Sequence, residues 1–133
     1  MPKHIDMGIA YQKEEPGGGW RMVKRGGTGP DRFKNPQADK LDTIRWHAPK
    51  DHDLCIVMLD DSPFARKGTP IVDEVIDIPK GSESKRYEID PAENDRRYEY
   101  AALVKKGDGD YVYVRGEKSP PGVVVGKPPP EDP

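Results

Sequence analysis

The sequence predicts an all-β protein, an antiparallel Greek-key β-sandwich, and two observations support this prediction. Apolar and polar residues alternate with a period of two over many short segments, as half-buried strands require. Turn-forming residues separate these segments at intervals of roughly 8–12 residues, which is typical of sandwiches and barrels. The chain of 133 residues contains 14 Gly and 15 Pro, so we expect frequent turns and no long helix.

Individual strands follow from the same alternation. The segment RYEYAALV places Tyr98, Tyr100, Ala102 and Val104 at alternate positions, so we expect these four side chains to face the core. Residues 54–59, LCIVML, are apolar throughout, which indicates a central strand buried on both faces. Eight or nine strands are predicted in all, in residues 5–11, 20–23, 41–46, 54–59, 75–78, 86–89, 97–104, 111–114 and 122–125.

Length and composition indicate a single domain, which we place at residues 1–126. Within it, residues 15–40 are rich in Gly and in charged side chains, and we expect a long basic loop there that includes one short strand. The segment LDDSPF at 59–64 is expected to be a turn, because Asp and Ser-Pro commonly start turns. Residues 127–133, KPPPEDP, are expected to form an extended tail, because Pro lacks the backbone donor that a sheet requires.

The charge pattern argues against a general nucleic-acid-binding protein, yet one basic segment needs an explanation. The formal net charge is −2, so no overall attraction to a polyanion is expected. Lys and Arg are nevertheless concentrated around a Trp in residues 20–34. A solvated loop is the simpler interpretation, and a contact surface for a partner or an anion is the alternative. The candidate contact residues are Trp20, Arg21, Lys24, Arg25, Arg32 and Lys34.

The sequence also gives expectations for the protein's location. The single cysteine cannot form an internal disulfide, so an oxidising compartment is not implied. The first residues, MPKHIDMGIAYQKEE, lack the apolar run of a signal peptide. No run of about 18 apolar residues is present to span a membrane. We therefore expect a cytoplasmic protein without membrane association.

Four short motifs resemble those of the cupredoxin family. DTIRW at 42–46 is similar to that family's strand ending in Trp, and IPKGSESKRYEI at 78–89 is similar to its edge segment. RYEY at 97–100 is similar to its Tyr-x-Tyr strand, and SPPGVVV at 119–125 resembles its closing strand. The resemblance extends over residues 5–125 and implies a cupredoxin-like sandwich. An immunoglobulin-like sandwich, which would show similar strands, is the alternative.

The same resemblance implies a copper site, but this chain lacks the ligands for it. The family's Cys, second His and Met follow the Tyr-x-Tyr strand, and residues 101–121 contain none of these three residue types. The stretch RWHAPKDHDLCIVM holds copper-type ligands, yet Cys55 and Met58 differ by three positions and should face opposite sides of a strand. We therefore predict no cofactor and no metal. If a metal binds at all, the ligands would be His47, His52 and Cys55.

These observations favour a non-catalytic protein-interaction or assembly module, with a protein partner or self-association. The spacings of a P-loop and of a nucleophile elbow are absent, so no catalytic residue is predicted. The basic loop and the tail would be the contact elements. The four tyrosines of residues 98–113 are either sheet packing or, since Tyr is enriched at interfaces, a partner-binding face. Two alternatives stay open: a metal-binding or redox protein, and an anion or nucleic-acid binder using the basic Gly-rich loop.

Overall fold

The computed structural model describes residues 2–12, 19–25, 35–59, 61–66, 69–72, 75–89, 97–107, 109–116 and 121–126. Within those ranges the protein consists of strands and turns, and no helix there is long and apolar enough to cross a membrane. The strands in chain order are β1 (His4–Gln12), β2 (Gly19–Lys24), β3 (Gln37–Ala38), β4 (Thr43–Trp46), β5 (Leu54–Met58), β6 (Asp61–Arg66), β7 (Thr69–Val72), β8 (Val75–Ile78), β9 (Tyr87–Glu88), β10 (Arg97–Lys105), β11 (Tyr111–Tyr113) and β12 (Gly122–Val125).

The strands form two main sheets and one ribbon. The four-stranded sheet has the order β2–β1–β4–β9. The six-stranded sheet has the order β3–β12–β10–β5–β8, with β11 paired to β10, and β6 and β7 form a separate two-stranded ribbon. Buried side chains from both main sheets belong to one hydrophobic cluster. The two sheets therefore pack face to face around a shared core, as in a sandwich.

The all-β prediction is confirmed, and two parallel pairings correct its antiparallel part. On one side β1 pairs antiparallel with β2, and on the other it pairs parallel with β4, with Ile5 opposite Ile44. The short strand β3 likewise pairs parallel with β12. β4 lies on the opposite side of β1 from β2. Because β4 then runs in the same direction as β1, the pair is parallel.

Aromatic side chains from both sheets meet in the core. The indole Nε1 of Trp46 on β4 donates a hydrogen bond to the Tyr100 hydroxyl on β10 over 3.3 Å. Their rings meet edge to face with centroids 5.5 Å apart. Complete burial raises the pKa of Tyr100, so its hydroxyl stays neutral. Tyr98, Ala102 and Val104 are also buried, which confirms the predicted inward face of this strand.

The central strand β5 is only partly as expected. It lies between β10 and β8, and Leu54, Ile56 and Met58 are buried in the core. Cys55 and Val57 point away from the core and are half-buried. The strand is therefore not buried on both faces, because the outer side of the six-stranded sheet is partly open to solvent.

A buried carboxylate joins the first strand to the fourth. Asp42 is 2% exposed, and its carboxylate oxygens accept hydrogen bonds from the backbone N–H groups of Lys3 and Asp39, each over 2.8 Å. The Thr43 backbone N–H donates to the Lys3 carbonyl over 3.0 Å. These contacts set the register between β1 and β4, and that register determines which outward side chains of the two strands become neighbours.

Two segments differ from the loops that the sequence predicts. Strands β2 and β3 lie within the range 15–40; β2 contains the predicted strand at 20–23, and β3 has no predicted counterpart. The expected turn at 59–64 overlaps β6, which pairs with β7. Pro63 is compatible with this strand because a two-stranded ribbon leaves one edge of each strand without ladder partners. The tail at 127–133 lies outside the described residues.

Candidate functional site

The two outer faces of the sandwich differ in chemistry. On the four-stranded sheet, the inward positions of β1 and β4 carry Ile5, Met7, Ile44 and Trp46, all buried. The alternate positions face outward, and they carry ionisable or hydroxyl groups: His4, Asp6, Thr43 and Arg45. The parallel register places His4 beside Thr43 and Asp6 beside Arg45. A polar cluster therefore forms across the two strands.

Asp6 is the centre of this cluster. Its Oδ1 atom accepts a hydrogen bond from Arg45 Nε over 3.0 Å. The same oxygen lies 2.8 Å from His47 Nε2 and 3.1 Å from His4 Nε2. Partial burial opposes the charge on Asp6, but the hydrogen bonds from His47, Arg45 and His4 outweigh it and lower the pKa of Asp6 well below its usual range. The carboxylate therefore stays ionised.

A second layer of contacts holds the histidines and the arginine. His4 Nδ1 lies 2.8 Å from the Thr43 hydroxyl, and Glu83 contacts both His47 Nδ1, over 3.4 Å, and Arg45 Nη1, over 3.3 Å. We call Asp6 and its neighbours His4, Thr43, Arg45, His47 and Glu83 the Asp6 cluster. The order hydroxyl, imidazole, carboxylate also occurs in nucleophilic triads. Here one carboxylate oxygen is shared by three donors, an arrangement that fixes side chains in place.

A cleft adjoins the Asp6 cluster where β2 and β4 end. It has a volume of about 670 Å³, and the residues that line it are Arg25, His47, Ala48, Lys50, Gly81, Ser82 and Glu83. A smaller depression of about 230 Å³ continues it toward Gly8, with Arg25, His47 and Ala48 shared between the two. We call this joined space the basic cleft, since Arg25 and Lys50 both line it.

The outer face of the six-stranded sheet is mainly apolar. The register places Val57 between Ala101 and Val75, and the next outward row contains Tyr113, Leu103, Cys55 and Asp77. Val75 is 53% exposed and Tyr113 is 73% exposed, whereas the other apolar members are half-buried. We call Cys55, Val57, Val75, Ala101, Leu103 and Tyr113 the apolar face.

Cys55 lies in the apolar face, and its thiol has low reactivity. Desolvation by burial, followed by the nearby Asp77 carboxylate, raises the pKa of this thiol to about 11. The thiol is therefore protonated at neutral pH, which opposes both nucleophilic attack and metal ligation. Cys55 was expected to be buried, and this expectation was wrong in degree because the residue is half-buried. It lines a depression of about 320 Å³ next to Tyr111.

The predicted contact residues of the basic segment lie in different environments in the structure. Trp20 is half-buried against the core. Its ring packs between those of Tyr11 and His52, with ring centroids 5.1 Å and 5.3 Å apart, respectively. It is therefore a partly buried anchor. Strand alternation places Arg21 and Arg25 on one side of β2 and its extension, and Lys24 on the other. Arg32 and Lys34 lie outside the described residues.

The three candidate metal ligands lie apart. His47 belongs to the Asp6 cluster on the four-stranded sheet, whereas Cys55 points outward from the six-stranded sheet. His52 lies in the turn before β5, where its Nδ1 donates to the Lys105 carbonyl over 3.1 Å and its ring contacts Trp20. In the described ranges, no group of three or more His, Cys, Asp or Glu side chains is arranged to hold a metal ion.

The Asp6 cluster is absent from the residues predicted from the sequence, although a signal for it is present. Polar residues occupy alternate positions at 4 and 6 and at 43, 45 and 47, inside two predicted strands. That pattern indicates two polar strand faces, but their pairing depends on a parallel register that no local pattern specifies.

A scan against protein-family models and a search of curated proteins both give no significant match. Function must therefore be argued from the geometry of the two faces.

Proposed function

We propose that this chain is a non-catalytic assembly module on a cupredoxin-like sandwich, and that it self-associates through the apolar face. The observation that carries this proposal is the exposure of Val75 and Tyr113 beside the half-buried Val57, Ala101 and Leu103. Contiguous apolar surface on a folded domain commonly marks a site of protein association. A cytoplasmic location is part of the proposal, because the single cysteine leaves no internal disulfide to require an oxidising compartment.

A second copy of the chain is the occupant that best fits this face. The face is four strands wide, from β11 to β8, or roughly 15–19 Å at the usual strand spacing. The face is only two residue rows deep, which is smaller than the roughly 800 Å² that a standard interface buries on each partner, so we propose a weak, concentration-dependent association. Opposite charges flank the face, with Asp77 on β8 and Lys105 on β10. A two-fold axis brings such flanks together, so the surface is able to complement itself.

The aromatic packing around Trp20 supports the same choice of surface. Trp20 already contacts Tyr11, His52 and the core, so much of its surface is covered within the chain. Tyr113 is the most exposed large apolar side chain of the described residues. An exposed Tyr with few rotatable bonds is a suitable contact residue, since it contributes a large area at a small entropic penalty.

Sedimentation velocity of matched variants tests this proposal. We expect the wild-type chain to show a concentration-dependent monomer–dimer equilibrium. Tyr113→Ser and Val75→Lys should each shift that equilibrium toward monomer by about tenfold or more, because each removes apolar contact area. Both side chains are exposed, so the melting temperature of the dilute monomer should change little.

Tyr11→Ser is the matched control. Tyr11 is 54% exposed and lies beside Trp20 on β1, a strand of the other sheet. This control should leave the association constant unchanged. A wild-type chain that stays monomeric at every concentration would contradict the proposal. So would an association that Tyr11→Ser weakens and that Tyr113→Ser and Val75→Lys leave intact.

A further inference from the structure

We propose that the basic cleft binds the phosphate group of a small phosphorylated molecule. The cleft lies beside the Asp6 cluster on the four-stranded sheet, whereas the proposed association surface is on the six-stranded sheet. The inference therefore goes beyond the proposed assembly function and does not depend on it. It assigns a ligand class and a site to Arg25, which the sequence had marked as a candidate contact residue for a partner or an anion.

Backbone hydrogen bonds fix the walls of the cleft. The Gly81 N–H donates to the Pro49 carbonyl over 2.8 Å, and the Ala48 N–H donates to the Ser82 carbonyl over 2.9 Å. These two bonds hold the segment after β4 against the turn after β8. The Arg25 N–H donates to the Asp6 carbonyl over 2.9 Å, which anchors the third wall. The polar groups that line the cleft are thus held by three backbone contacts before any ligand arrives.

The balance of charge in the cleft favours an anion. Among the described residues, neither the Arg25 guanidinium nor the Lys50 ammonium has an ion-pair partner. The one carboxylate in the lining, Glu83, lies 3.3 Å from Arg45 Nη1 and 3.4 Å from His47 Nδ1. The cleft and the adjoining Asp6 cluster together hold three cations, Arg25, Lys50 and Arg45, against the two carboxylates of Asp6 and Glu83, so the cations exceed the carboxylates by one and favour an anion.

Gly8 lies directly under the Arg25 side chain. A β-carbon at Gly8 would lie 3.3 Å from both Cγ and Cδ of Arg25. The aliphatic part of Arg25 therefore passes directly over the glycine, and Arg25 lines the cleft beside it. The absence of a side chain at position 8 leaves space for this path. Gly8→Ala is consequently a way to move Arg25 without removing its charge.

Phosphate is the anion that best matches these groups. A guanidinium presents a planar fork of donors that suits phosphate oxygens, and an ammonium adds a compact second charge. The Ser82 hydroxyl in the same lining can donate a further hydrogen bond. The space is open to solvent, because most of the residues that line it are exposed, so the phosphate group would be held at the surface. The net charge of −2 and the acidic Glu83 disfavour a long polyanion, so we choose a small ligand.

Titrations followed by NMR amide shifts test this inference, with inorganic phosphate, pyrophosphate, sulfate and a short single-stranded oligonucleotide as separate probes. We expect pyrophosphate to bind more tightly than sulfate at equal ionic strength, and to shift the amides of His47, Ala48 and Lys50 and those of residues 81–83. Arg25→Gln and Lys50→Gln should each weaken pyrophosphate binding by about tenfold, since each removes a charge-assisted contact.

Control variants separate a local site from general charge. Arg86→Gln and Lys106→Gln remove one exposed cation each outside the cleft, and both should bind pyrophosphate as the wild type does. Gly8→Ala should weaken binding severalfold with the net charge unchanged. The Val75→Lys monomer should bind as the wild type does, so failure of the assembly proposal and of this one are distinguishable.

Three results would overturn the inference. The first is an absence of saturable pyrophosphate binding to the wild type. The second is an equal loss of binding in the control variants, which would show attraction to charge alone. The third is tighter binding of the oligonucleotide with a salt dependence steeper than two phosphate contacts produce, which is a slope of about −1.4 for a single strand. That result would indicate a nucleic-acid surface.

Discussion

The outer faces of the two sheets show how similar strands present opposite chemistry. On the four-stranded sheet, the side chains of Asp6, Arg45 and His47 are between 18% and 30% exposed, and each has partners within the sheet. On the six-stranded sheet, Val75 and Tyr113 are 53% and 73% exposed and are apolar. On the first face, the polar groups of the Asp6 cluster pair with one another. The second face leaves apolar surface that only another molecule can cover.

This comparison separates what an outward position contributes to stability from what it contributes to binding. A hydrogen-bonded polar cluster stabilises the fold, because removal of one partner leaves the others desolvated and unpaired. An exposed apolar side chain contributes little to the stability of the folded monomer. It contributes to the free energy of association when a partner buries it. Equal substitutions on the two faces should therefore have unequal effects on folding and on association.

The largest expected difference in stability is between two Asp→Asn substitutions, one on each face. Asp6→Asn replaces the charge that holds His4, Arg45 and His47, and we expect a loss of about 1–2 kcal/mol in the free energy of unfolding. Asp77→Asn, on the edge of the apolar face, should change it by less than about 0.5 kcal/mol. Urea denaturation of both variants at neutral pH measures the difference. Equal losses would contradict the distinction between the faces.

An intermediate effect is expected from pH. In the folded protein, partial burial is outweighed by the hydrogen bonds that lower the pKa of Asp6 below its ordinary value of 3.8. As the pH falls through about 4, the unfolded chain binds a proton at Asp6 that the folded protein does not, so folding stability decreases. The wild type should therefore lose stability more steeply than Asp6→Asn below that pH. Parallel curves from urea denaturation at several pH values would show that Asp6 is not held as described.

The smallest expected effect concerns the thiol in the apolar face. Burial and the neighbouring Asp77 raise the pKa of Cys55 to about 11, so its reaction with a thiol reagent at pH near 8 should be slow. Asp77→Asn removes the second cause and should speed the reaction severalfold, with unfolded protein as the reference rate. An unchanged rate in this variant would leave burial as the whole explanation.

More of the fold than of the candidate site could be predicted from the sequence. The alternation around Tyr98 and Tyr100 is local, so it identifies an inward face without knowledge of the pairing. The Asp6 cluster joins Asp6 to partners about 40 residues away, through a parallel pair that the sequence does not reveal. Cys55 was expected to be buried because an apolar run resembles a strand covered on both faces. Whether a second layer covers such a strand depends on the whole chain, so its exposure could not be read from the segment.

Hydroxyl-radical footprinting of Tyr113 and Tyr11 across a range of protein concentrations tests the central claim most directly. Both side chains are exposed in the monomer, at 73% and 54%, so both should be oxidised readily in dilute solution. The account predicts that oxidation of Tyr113 falls as the concentration rises, while oxidation of Tyr11 stays constant. Constant oxidation of both, or a fall at Tyr11 alone, would contradict self-association through the apolar face.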